Sequence, residues 1–121
     1  MVESGVIDEV VLDDLLASVG GDTSFLVELI NTYLSETPTL LAQLHTALAA
    51  QNTDEFRRAA HSLKSSSAGL GAHTLCATAK ELEMMGKTGV LEGAGEKLTL
   101  AEDEYARVQD ELEKVKATKG G

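Results

Sequence analysis

The sequence predicts an all-α protein built as an antiparallel bundle of amphipathic helices. Three observations predict it. Ala, Leu, Glu and Lys are plentiful and β-branched runs are scarce, a composition that favours helix. Apolar residues recur at helical spacing through most of the chain. The segments between them are short and carry turn residues, so successive helices fold back on one another. At 121 residues and 43% hydrophobic content, the chain reads as one domain with a single core over about residues 8–116. Residues 1–6 and 117–121 read as frayed ends.

Asp8 caps a first helix through about Val19, in which Val10, Val11, Leu12, Leu15 and Leu16 are apolar. Gly20-Gly21 ends it. A second helix starts at Asp22 or Thr23 and repeats Phe25, Leu26, Leu29, Ile30, Tyr33 and Leu34. Two readings fit Pro38. Thr37 caps a new helix with Pro38 in its first position, or one helix continues with a kink. Leu40, Leu41, Leu44 and Leu48 carry the pattern to about Ala50.

Thr53 caps the next helix, with Asp54 and Glu55 favourably placed in its first turn. That helix closes near Gly69. Another runs from about Ala72 to Met85, burying Leu75, Ala79, Leu82 and Met85, with Met84-Met85 read as packing residues. Gly86, Gly89, Gly93 and Gly95 mark the loosest stretch. The last helix starts at Val90 or Glu96 and ends near Lys116, with Leu98, Ala101, Tyr105, Val108, Leu112 and Val115 as its stripe.

The segment capped by Thr53 organises the chain. Wound at about 100° per residue, Phe56, Ala59, Ala60, Leu63, Ser66, Ser67 and Leu70 share one apolar-to-small face. His61 falls about 160° from Leu63, in water, beside Arg57, Arg58, Lys64, Ser65 and Ala68. A neutral imidazole is a good nucleophile near neutral pH. Attack on a phosphoryl group needs positive charge for its oxygens, which Lys64 supplies. It also needs room for a partner to close over the ring, which Ser65 and Ala68 leave. Arg57 and Arg58 would set the field or contact the partner.

The run Ala60-His61, Leu63-Lys64, Ser66-Ser67 and Leu70-Gly71-Ala72 resembles the signature of the histidine phosphotransfer (HPt) domain. Leu75, Leu82 and Glu83 match its downstream positions. Ser65 stands where the family commonly has Gly, and Ala79 where many members have Cys. The resemblance implies an HPt-like four-helix bundle with an accessory N-terminal helix. It implies that His61 accepts a phosphoryl group on Nε2 from a receiver domain's phospho-aspartate and passes it to another receiver. Partners would be receiver domains of response regulators or of a hybrid histidine kinase. The Mg²⁺ needed would sit on the receiver, with no cofactor of the chain's own. The docking face would include His61 and an apolar patch drawn from Ile7, Leu12, Leu15 and Leu16.

Other functions fit less well. A net charge of −10 repels nucleic acid. No apolar run approaches the roughly 18 residues of a membrane span, and no signal peptide is evident. One cysteine permits no internal disulfide, so the expected compartment is the cytoplasm. Gly93-Ala94-Gly95-Glu96-Lys97 is not a nucleotide-binding loop, so the chain is expected to carry phosphate and not to act as an ATP-dependent kinase. His45 and His73 read as surface histidines, Cys76 as a small hydrophobe, and no metal-ligand spacing is present. A monomer is expected. The competing readings are a non-phosphorylated helical adaptor and an acidic oligomerisation module.

Overall fold

The computed structural model describes residues 6–119. Five helices follow in order: α1 Glu9–Ser18, α2 Thr23–Ala49, α3 Thr53–Gly69, α4 His73–Thr88 and α5 Ala94–Lys119. The helices α2 to α5 form the bundle: α3 packs between α2 and α4, and α5 closes against α2 and α4. The accessory helix α1 rests on α2. Phe56, Leu63, Leu75, Leu82, Leu98 and Leu112 are among the side chains fully buried between them.

The helix ends follow local chemistry. Asp8 caps α1, its carboxylate accepting from the Val10 N–H at 3.0 Å. Asp22 caps α2, accepting from the Ser24 N–H at 3.1 Å. The cap of α3 is Asn52 and not Thr53: Asn52 Oδ1 accepts from the Glu55 N–H at 3.1 Å, which moves the expected start by one residue. Gly86 was expected in a loose glycine stretch, yet it is buried inside α4. Met84 was expected to pack, and it is exposed.

The Pro38 alternatives resolve to one uninterrupted helix. Proline has no N–H to offer the Leu34 carbonyl one turn earlier. The Tyr105 hydroxyl of α5 donates to that carbonyl instead, at 3.4 Å. Thr37 Oγ1 donates to the Tyr33 carbonyl at 2.7 Å. The two hydroxyls therefore supply hydrogen bonds to the carbonyls around the proline, and the helix needs no new start.

Of the ends expected to fray, Val6 lies in a turn and packs against the core, and Ala117 to Lys119 continue α5. Residues 1–5 and 120–121 lie outside the described residues. The chain entering α1 is clipped to the α3–α4 turn. The Asp8 N–H donates to the Gly71 carbonyl at 2.9 Å, and Asp8 Oδ2 lies 3.0 Å from His73 Nε2. Gly71 has φ +78°, and a Cβ there would stand 2.8 Å from the Asp8 carbonyl oxygen, so only glycine suits the turn. Ile7 and Leu12 are buried in the core, which removes them from the expected docking patch; Leu15 and Leu16 are half-buried.

Candidate functional site

The site lies midway along α3 and faces α4. The apolar stripe of α3 turns Ala60 and Leu63 into the core, and that registration leaves His61 outside with its side chain 55% exposed. From α4, the burial of Leu82 places Glu83 on the flank of the helix that looks toward α3.

Glu83 joins two residues of α3. Its Oε2 lies 2.6 Å from His61 Nδ1, and its Oε1 accepts from Lys64 Nζ at 2.7 Å. The carboxylate is largely covered, with its side chain 17% exposed. The Lys64 ammonium, and after it His61, hold the Glu83 carboxyl below its ordinary range against the opposing effect of burial. Glu83 is therefore ionised at neutral pH.

That charge state fixes the imidazole. A carboxylate only accepts hydrogen bonds, so the proton shared with it belongs to His61 Nδ1. The lone pair of the neutral ring then sits on Nε2, on the far side from Glu83. The ring is oriented and its nucleophilic nitrogen points away from α4. Lys64 is anchored as well: one of its three N–H donors serves Glu83, and its side chain is 28% exposed, with two further donors to give.

The remaining sequence-predicted residues are placed around this triad. Ser65 and Ala68 are exposed on the same side of α3 as His61. Arg57 and Arg58 were expected to ring the histidine with positive charge. Both instead reach Asp54, at 3.0 Å each, and Arg58 also lies 3.8 Å from Glu55. Their charge is thus largely compensated within α3. Ser67 turns inward, where its hydroxyl meets Tyr33 Oη at 2.9 Å and ties α3 to α2. On the other flank of α3, a groove of about 420 Å³ opens toward α2 between Tyr33, Thr37, Leu40, Gln43, Ser62 and Ser66.

His45 and His73 are exposed, as expected of surface histidines, but each faces a carboxylate, Glu102 at 3.1 Å and Asp8 at 3.0 Å. The three histidines do not converge, and among the described residues no group of His, Cys, Asp and Glu is placed to hold a metal. Sequence reasoning missed the role of Glu83. It was legible only as a motif position; nothing in the local spacing tells which α3 side chain it meets.

A helical bundle that displays one oriented imidazole beside an anchored lysine is the architecture of a histidine phosphotransfer domain. The chain belongs to the Hpt domain family, whose model matches residues 28–118. It is also similar to a solved structure, the histidine-containing phosphotransfer protein B (HptB) from Pseudomonas aeruginosa PAO1. The two share 28% sequence identity with a TM-score of 0.89, over 96% of this chain and 98% of that one. None of the curated proteins matches the chain. The protein therefore serves histidine phosphotransfer in a two-component phosphorelay as a phosphoryl carrier. Among the described residues, no helix is long and apolar enough to cross a membrane.

Proposed function

We propose that His61 is the phosphoryl acceptor and that Nε2 is the atom that takes the group. The observation that carries this reading is the Glu83–His61 hydrogen bond at 2.6 Å, which occupies Nδ1 and leaves the Nε2 lone pair toward solvent. The donor is the aspartyl phosphate of a receiver domain. The Nε2 lone pair attacks phosphorus, the N–P bond forms, and the P–O bond to the aspartate breaks with its electron pair leaving on the carboxylate. The Nδ1 proton stays between the ring and Glu83, whose charge stabilises the positive ring that develops. Lys64 donates a free N–H to the phosphoryl oxygens while it holds Glu83. Transfer to a second receiver is the reverse of these steps.

Mg²⁺ belongs to the receiver in this reading, and the chain supplies positioning and charge with no cofactor. The absence of a recognisable nucleotide loop supports a carrier without ATP-dependent kinase activity of its own. Ser65 and Ala68 keep the approach open, and Arg57 and Arg58 contact the partner at the edge of the docking face. The carrier is cytoplasmic and monomeric.

The test is transfer from a phosphorylated receiver to the native protein and to His61→Gln. Label on the native protein alone, lost in acid and stable in base, supports the assignment. Binding of the receiver without labelling of the native protein would favour the adaptor reading instead.

A further inference from the structure

Gly86 is buried in the interior of α4, one turn beyond Glu83. A Cβ at this position would stand 2.8 Å from both Arg57 Cα and Arg57 N, and 2.9 Å from Arg57 Cβ. These are backbone atoms and the first side-chain carbon, so no rotamer change relieves the contact. Arg57 in turn lies one turn before His61 on α3. The helices are antiparallel, so the 57–86 contact and the 61–83 hydrogen bond are successive rungs of one interface. The backbones meet at the first rung, and the carboxylate spans to the imidazole at the second.

We infer that Gly86 is a positioning residue for His61: its missing side chain sets the α3–α4 separation at which Glu83 reaches both His61 and Lys64. Carbon–carbon contacts settle at about 3.5–4.0 Å. A methyl group at Gly86 therefore pushes α4 outward by about half an ångström or more. The 2.6 Å and 2.7 Å hydrogen bonds one turn away are short, and charge-assisted bonds of this length weaken steeply when stretched. Bringing Gly86 to the α3 backbone is thus a condition for the ring orientation. The consequence for transfer rests on His61 being the acceptor; the consequence for the hydrogen bond does not.

The experiment compares Gly86→Ala, Glu83→Gln and the double variant. The first readout is the His61 Nδ1 proton in the ¹H NMR spectrum, which moves upfield and exchanges faster with water when the bond to Glu83 lengthens. The second is the single-turnover rate of transfer from a phosphorylated receiver. Gly86→Ala is expected to move the Nδ1 proton and slow transfer about tenfold, while adding less than about twofold in the Glu83→Gln background. An unmoved Nδ1 proton, or rate losses that multiply in the double variant, overturns the inference. If Gly86→Ala does not fold, Glu83→Asp decides. It withdraws the carboxylate by one methylene with the helix packing intact, and is expected to lose the Nδ1 signal; a retained signal overturns the inference. A native protein that shows the Nδ1 proton but accepts no phosphate refutes the acceptor assignment alone.

Discussion

Glu83 holds His61 by Nδ1 at 2.6 Å and, through its other oxygen, holds Lys64 at 2.7 Å. One carboxylate from α4 thus fixes the tautomer of the His61 imidazole and the position of the Lys64 ammonium. The two α3 residues are three apart and share a helix face, so a single acceptor opposite them serves both.

Removing that acceptor slows transfer without unfolding the bundle. A hydrogen bond to a charged group contributes about 1.5–3 kcal/mol, equivalent to about 10- to 150-fold in rate. Glu83→Ala is expected to fall in that range in single-turnover transfer, with the helical circular dichroism unchanged. A rate within about twofold of native would show that the ring needs no orientation.

Lys64→Ala removes the cation and frees Glu83 at once. Transfer is expected to drop by about 10- to 100-fold, and Lys64→Arg to recover part of it because the charge remains. Receiver affinity, followed by titration calorimetry, should change little. A loss confined to affinity would move Lys64 from the reaction to the docking face.

Tyr33 gives the bundle an alkaline limit. Burial raises its hydroxyl to about 12, against the lowering effect of the Ser67 hydrogen bond. A folded-state value above the unfolded one means stabilisation that is complete below about pH 10 and is lost as pH rises toward 12. The amount is on the order of 2 kcal/mol. Urea unfolding of Tyr33→Phe against native should show a stability difference that changes across this window. A difference independent of pH would mean the phenol ionises equally well when folded.

The N-terminal helix hangs on Asp8. This residue caps α1, bonds the Gly71 carbonyl through its N–H and faces His73 through its carboxylate. The His73 hydrogen bond, and after it the Val10 N–H, hold the Asp8 carboxyl below its ordinary value. The sign follows: this contribution is present above the ordinary carboxylate range and fades as pH falls through the folded-state value. Asp8→Ala is expected to raise amide exchange in α1 while α3 and α4 stay protected. Exchange rising equally across all helices would show that α1 unfolds only with the bundle.

The bundle was legible because its helices obey local rules. The apolar stripes of α3 and α5 fall on the buried faces, and Asp8 and Asp22 cap where their positions suggest. What stayed hidden depends on contacts between distant segments. Pro38 could end a helix or ride in one, and the Tyr105 hydroxyl that serves the Leu34 carbonyl lies 71 residues away in sequence. Gly86 looked like a loop residue because its reason for being small is the Arg57 backbone. Glu104 and Glu111, which a sequence places in water, are buried on α5. At the site, His61 and Lys64 were visible through helical spacing and the motif. The pairing of Arg57 and Arg58 with Asp54 is equally local, set by their i+3 and i+4 spacing, and it competes with their nearness to His61.

The most direct measurement is a long-range ¹H–¹⁵N correlation spectrum of the protein phosphorylated by a receiver, with histidine nitrogens labelled. The expected result is phosphorus coupled to His61 Nε2, with the proton retained on Nδ1 and His45 and His73 unmodified. Phosphorus on Nδ1 of His61, or on either of the other two histidines, would contradict the account.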